Sequence, residues 1–230
     1  GRFHRPYVKV FEEERELTVM LLIDVSGSLD FGTSDQLKRE CATEIAATLA
    51  FSAIQNNDKI GVIFFSDYIE KYIAPKKGRK HILYLIREML TFTPNSKRTD
   101  VGVSLEYLNK VMKRRCTAFV ISDFYTRKDF SQELRIANKK HDVVAIQIYD
   151  PRAKEMPDVG LMKVVDAETG HEMYIDTHDA RLRKEHNKYW EEREIRLHEM
   201  LSQSHVDSVA IATDDDYVKM LMTLFSKRNR

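Results

Sequence analysis

Val19-Met20-Leu21-Leu22-Ile23 is an unbroken apolar run that stops at Asp24, and it limits the possible folds more than any other stretch of the chain. A run with no polar residue on either alternating face reads as a strand covered from both sides, the pattern of a parallel sheet sandwiched by helices. Four similar runs follow: Ile60–Phe65, Ala118–Ile121, Val143–Ile148 and Val209–Ala212. Helical patterns separate them. Thr33-Ser34-Asp35-Gln36 offers a capping box, and behind it Leu37, Cys41, Ile45, Leu49 and Ala53 recur every fourth residue. Ile82–Leu90, Val101–Val111, Phe130–Ala137 and Tyr217–Phe225 read as further helices.

Two stretches depart from simple alternation. Tyr68–Ile73 alternates in strand fashion close behind Phe65-Ser66-Asp67, which predicts an antiparallel edge strand. Leu161–Val165 and Glu172–Ile175 flank Glu168-Thr169-Gly170, which predicts a surface hairpin. A charge-rich helix from Asp179 to about Ser202 comes next, with a partial apolar stripe of Leu182, Tyr189, Trp190, Leu197 and Leu201. Its mixed charges read as a solvated face, and no partner is assigned to it. No linker and no repeat divides the chain. The expected architecture is one Rossmann-like, doubly wound α/β domain over residues 17–230, behind a lead-in of residues 1–16. It has a mainly parallel sheet, one antiparallel edge strand and helices on both faces. A chain of 230 residues buries roughly 70% of its unfolded surface, enough for such a layered core.

Charge and cysteine content narrow the function. Lys and Arg number 37 against 36 Asp and Glu, a net charge of +1. That balance gives no basic excess for nucleic acid and no polybasic block for an anionic membrane. Cys41 and Cys116 sit in apolar patterns without a C-x-x-C, as core thiols of a reducing compartment do. No apolar stretch approaches the roughly 18–20 residues of a membrane span, and no signal peptide is visible. A cytoplasmic location is the expectation. The chain opens with Gly1 where a Met would stand, so an upstream segment is expected to be missing.

The chemistry concentrates where the first run ends. Asp24-x-Ser26-x-Ser28 places a carboxylate and two hydroxyls on a tight turn between strand and helix. Asp123 closes another run, Phe119-Val120-Ile121-Ser122-Asp123, and Thr99 lies in the loop Pro94–Asp100 ahead of a helix that Asp100 would cap. Each has a plain structural reading: strand-end aspartates cap helices, and serines fill turns. Together, all five fall on one edge of the sheet, where open α/β folds bind ligands. Hard oxygens of this kind suit Mg²⁺, with Mn²⁺ or Ca²⁺ as alternatives. Two carboxylates leave a dication poorly neutralised, with a position open to a Glu or Asp of a partner protein. Phe31, Phe92, Phe124 and Tyr125 flank these loops, and packing into the core is the expected role for most of them.

Ile23-Asp24-Val25-Ser26-Gly27-Ser28, with Thr99 and Ser122-Asp123 downstream, resembles the metal-ion-dependent adhesion site of von Willebrand factor A domains. The likeness continues through Val8–Glu14, Asp150-Pro151 and Asp166–Gly170, which are similar to an uncharacterised bacterial family carrying this domain. Members of that family are associated with MoxR-type AAA+ ATPases and carry more sequence before this start. The resemblance implies that Asp24, Ser26, Ser28, Thr99 and Asp123 bind the ion directly or through water. It also implies a MoxR-type ATPase, or a client presented to one, as partner, and a role in binding rather than catalysis.

Two other readings stand beside it. A strand-end aspartate with Mg²⁺ fits a phosphotransferase of the haloacid dehalogenase type with Asp24 as nucleophile, although Ser26 occupies the place of its usual second aspartate. Asp214-Asp215-Asp216 follows the last run and more simply caps the final helix. The third reading is a structural interaction module with an empty site. No P-loop, nucleophile elbow or H-E-x-x-H motif occurs.

Overall fold

Side chains alternate across the first strand and so distribute the helices between two faces. Leu21 and Ile23 point into a cluster formed with Ile45 and Leu49, Leu85 and Met89, and Leu221 and Leu224. Met20 and Leu22 point the other way, onto Leu105 and Leu108, Leu134 and Ala137, and Leu197 and Leu201. This computed structural model describes residues 17–27, 32–126, 128–165 and 171–228, without the side chains of 32–37 and 165. Ser28, Phe31, Val8–Glu14, Asp166–Gly170 and the lead-in of residues 1–16 lie outside the described residues.

The elements run β1 (Thr18–Asp24), α1 (Gly32–Gln55), β2 (Lys59–Phe65), β3 (Ile69–Lys76), α2 (Arg79–Thr91), α3 (Val101–Val111), β4 (Thr117–Ser122) and α4 (Ser131–Lys140). They continue with β5 (Asp142–Tyr149), α5 (Pro151–Lys154), β6 (Leu161–Val165), β7 (Glu172–Asp176), α6 (Ala180–Gln203), β8 (Asp207–Ala212) and α7 (Tyr217–Arg228). The main sheet has the order β3-β2-β1-β4-β5-β8. All its pairings are parallel except β2 with β3, so the expected antiparallel edge strand is present. α1, α2 and α7 cover one face, and α3, α4 and α6 the other.

The hairpin β6–β7 forms a separate two-stranded sheet. A lone hairpin is marginal in water, and Thr177 ties this one down. Its hydroxyl donates to Gly160 O at 2.7 Å and accepts from Val159 N at 3.0 Å, while Arg183 of α6 donates to Thr177 O at 2.5 Å.

Three local expectations need correction. α1 starts at Gly32, so Thr33 is already helical and cannot be the cap, which must precede the first helical residue. The apolar stripe of α6 is only half used. Leu197 and Leu201 are buried, but Tyr189 is 47% exposed, because the core cluster takes in only the C-terminal part of the helix. Pro151–Lys154 forms a short helix that the apolar pattern did not signal, capped by Asp150 Oδ1 on Arg152 N at 2.9 Å.

A buried histidine sets a pH limit on the fold. His141 is fully buried, and its Nδ1 accepts from Cys116 N at 3.4 Å, which leaves the proton on Nε2, where no hydrogen-bond partner is found among the described residues. Burial, then the nearby Lys140 and Arg115 charges, push its pKa down to about 4. The unfolded chain takes up this proton near the ordinary value of about 6.5, so between 6.5 and 4 the unfolded state binds more protons. Stability is therefore intact above about pH 6.5 and falls with pH through that window, by about 3 kcal/mol at its acid end. In urea unfolding, the stability advantage of the wild type over His141→Gln should narrow from pH 7 to pH 4.5; a constant gap would contradict the assignment.

Candidate metal centre

β1 is flanked by β2 on one side and β4 on the other, and the chain order reverses between β1 and β4. Ligand sites of open α/β sheets form beyond the carboxyl ends of strands at such a point. Ile23 pairs with Ile121, which brings Asp24 beside Ser122. Asp24 Oδ2 accepts from Ser122 Oγ at 2.5 Å, and Oδ1 accepts from Ser26 N at 2.9 Å. Ser26 Oγ in turn accepts from Thr99 Oγ1 at 2.6 Å. Asp24, Ser26 and Thr99 thus form one connected, buried cluster of oxygen donors. Asp123 is also buried; its Oδ1 accepts from Tyr125 N at 2.9 Å and its Oδ2 from Lys38 Nζ at 3.1 Å.

The two carboxylates repel. Burial, then the charge of Asp123, lift the pKa of Asp24 to about 7, against the lowering effect of hydrogen bonds from Ser122 and Ser26. Such a pair is under-compensated, and an oxygen-lined pocket with excess negative charge fits a small dication. Lys38 supplies part of the compensation: its ammonium reaches Asp123 from α1, with 11% of the side chain exposed. Among the described residues no group of three or more His, Cys, Asp or Glu side chains could hold a metal. Any ion here would therefore depend on the hydroxyls.

Two loops are held close by specific contacts. Gly27 N donates to Lys97 O at 3.1 Å, which joins the β1–α1 turn to the loop carrying Thr99. A Cβ on Gly27 would lie 2.7 Å from Lys97 Cβ, so the approach needs glycine. Glu70 of β3 anchors the same loop. Its carboxylate accepts from Ser66 Oγ at 2.9 Å, Asn95 Nδ2 at 3.0 Å, and Asn95 N and Ser96 N at 3.1 Å each. Desolvation works against ionisation there, but these hydrogen bonds prevail and the pKa of Glu70 is lowered. Asp100 caps α3 as expected, accepting from Val103 N at 3.4 Å, and its other oxygen pairs with Lys128 at 2.6 Å.

The loop after Asp123 is held by its aromatic residues and by α6. Phe124 has φ 53, a left-handed conformation rare for an aromatic residue, stabilised by its N–H on Ser122 Oγ at 2.8 Å. Phe124 is buried against Phe130. Phe92 stacks on Phe64 at 4.7 Å. Both side chains therefore pack inward, in the role expected for most of the aromatic residues here, while Tyr125 is half-buried beneath α6. Arg193 of α6 donates to Asp123 O at 2.7 Å, and its guanidinium lies 4.9 Å from the Tyr125 ring and 4.7 Å from Trp190.

The model of the family described as "Protein of unknown function DUF58" matches residues 1–196. The chain belongs to that family. It is 33% identical over 172 residues to the uncharacterized protein Rv1480 of Mycobacterium tuberculosis, covering 74% of this chain. It spans about half the length of that relative, 54%. The uncharacterized protein MAV169 of Mycobacterium avium is 28% identical over 160 residues, 69% of this chain and 94% of that protein. Two solved structures share the fold: the conserved hypothetical protein BatB from Bacteroides thetaiotaomicron, and an aerotolerance-related membrane protein from Bacteroides fragilis. The first has a TM-score of 0.59 at 16% identity, over 92% of this chain and 98% of that one. The second has a TM-score of 0.60 at 14% identity, over 93% and 98%. The doubly wound, mainly parallel α/β architecture expected from the sequence is the one observed. Among the described residues, no helix is long and apolar enough to cross a membrane.

Of the five residues singled out in the sequence, the structure gathers Asp24, Ser26, Thr99 and Asp123, and Ser28 is outside the described residues. Three participants in this DUF58 chain had no role assigned from the sequence, Ser122 being quoted there only as the neighbour of Asp123. Ser122 becomes visible once β1 and β4 are paired in register. Lys38 lies in an unremarkable charged stretch, and Arg193 is 70 residues from the carbonyl it binds, so neither carries a local signal. The closeness of Gly27 to Lys97 is open to test. Gly27→Ala should cost about 1–3 kcal/mol through overpacking, read as a lower urea midpoint with unchanged far-UV dichroism; an unaltered midpoint would show that the turn can yield.

Proposed function

We propose that this domain is a metal-dependent protein-recognition module. The observation that carries the reading is the convergence of Asp24, Ser26, Thr99 and Asp123 at the β1/β4 switch point, with Asp24 lifted to about 7 by burial and by the neighbouring charge of Asp123. Asp24, Ser26, Ser28, Thr99 and Asp123 would hold Mg²⁺, or Mn²⁺ or Ca²⁺, directly or through water. A dication bound there supplies an electrophilic position that a carboxylate from outside can fill. Asp24 and Asp123 provide charge, the hydroxyls provide neutral donors, and Lys38 must leave Asp123 for the site to load. A Glu or Asp of the partner completes the shell.

The partner in this reading is a MoxR-type AAA+ ATPase or a client presented to one, in the cytoplasm of a bacterial cell, with neither nucleic acid nor a membrane as ligand of this segment. The two cysteines are free and buried, which suits a reducing compartment. The domain is not an enzyme in this proposal. Both oxygens of Asp24 accept hydrogen bonds, from Ser26 N and Ser122 Oγ, which argues against a free nucleophile for phosphoryl transfer.

Two measurements test the proposal. Mg²⁺ at about 100 times its Kd should raise stability by roughly 2.7 kcal/mol, and Asp24→Ala should abolish the gain. An unaltered protein that gains nothing from Mg²⁺, Mn²⁺ or Ca²⁺ would favour a structural module instead. Binding of a purified MoxR-type ATPase should require the metal and be lost in excess chelator; binding unchanged by chelator would overturn the carboxylate-to-metal mechanism.

A further inference from the structure

A groove of about 630 Å³ opens between the loop that follows Asp123, the start of α4 and the flank of α6. Its floor is apolar, with Phe124, Phe130, Leu197 and Met200. Its walls carry four basic side chains, Lys128, Arg135, Arg193 and Arg196, against the acidic pair Asp129 and Glu199. The charges are not equally free. Asp129 accepts from Ser131 N at 2.9 Å, and Lys128 is held by Asp100 at 2.6 Å. Arg135 and Arg196 are exposed on opposite walls, one on α4 and one on α6, with no ion pair within 4 Å among the described residues. Arg135 Nε donates to Ser131 O at 3.2 Å, and its charge adds to the backbone hydrogen bond that lowers the pKa of Asp129. The first turn of α4 adds the positive end of a helix dipole to the same groove.

The groove adjoins the metal loops. Thr126 on its rim donates to Thr99 O at 3.1 Å, Lys128 binds the residue after Thr99, and Arg193 binds the carbonyl of Asp123. We propose that this groove docks an acidic segment of the partner protein, its apolar side chains on the floor and its carboxylates between Arg135 and Arg196. This extends the function proposed above, since the same segment would present its Glu or Asp to the metal, but the groove contact itself needs no ion. A protein segment fits better than a polynucleotide: the floor is apolar, two carboxylates face the groove, and the chain as a whole carries a net charge of only +1.

Fluorescence anisotropy on the whole chain tests the proposal with three labelled probes: a Glu-rich peptide interspersed with Phe and Leu, its Gln-for-Glu counterpart, and a single-stranded polyuridine. The acidic peptide should bind at least about tenfold more tightly than the Gln counterpart and than polyuridine, and added salt should weaken it. Reversing the charges with Arg135→Glu and Arg196→Glu, both at exposed positions, should weaken it about tenfold in Mg²⁺ and in chelator alike. Equal binding of the two peptides, no loss on charge reversal, tighter binding of polyuridine, or no peptide binding at all would each overturn the groove. Its failure is distinguishable from failure of the metal reading. Peptide binding abolished by chelator but untouched by charge reversal retains the metal and removes the groove. Binding that falls on charge reversal but ignores chelator does the opposite.

Discussion

Two carboxylates placed side by side at the ends of neighbouring buried strands are the constraint around which the rest of this molecule is organised. Moving one ionised carboxylate out of water costs several kcal/mol even after relaxation, and a like charge nearby adds to that. The chain meets the cost with short-range donors: Ser122 Oγ and Ser26 N on Asp24, and Tyr125 N and Lys38 on Asp123. Burial, together with the nearby charge of Asp123, outweighs these donors, and the pKa of Asp24 stays raised. The cation proposed for this site would offset both effects.

Holding such a pair requires the flanking loops to stay in place. Gly27 against Lys97 and Glu70 across Asn95 and Ser96 hold the loop that carries Thr99, and Arg193 on the Asp123 carbonyl holds the loop after β4. The edge strand β3 contributes to the centre through Glu70 although it supplies none of the proposed ligands. The helix α6 does the same through Arg193, and its exposed charges then line a groove that opens beside the metal loops.

Much of this was legible in the sequence because both the sheet and the site depend on local patterns. The five continuous apolar runs became the five strands β1, β2, β4, β5 and β8, and the alternation of Tyr68–Ile73 marked the antiparallel edge. The positions of Asp24, Ser26 and Asp123 followed from strand ends, and that of Thr99 from the start of α3. Long-range contacts were not legible. The partial stripe of α6 was read over Leu182, Tyr189, Trp190, Leu197 and Leu201, yet Leu197 and Leu201 are the ones buried in the core. The charges of the same helix, which read as a solvated face, include Arg193, whose partner lies 70 residues earlier. Nothing in helical periodicity separates a guanidinium that clamps a backbone carbonyl from one that faces water.

The stacking of Arg193 between Tyr125 and Trp190 has a practical side. Trp190 is the sole tryptophan of the chain, and its indole lies 6.1 Å from the ring two residues beyond Asp123. Ultraviolet emission near the red end of the protein spectrum thus originates at one place, beside the loop that follows the second carboxylate. The molecule contains its own optical gauge of that loop, with no dye or label required.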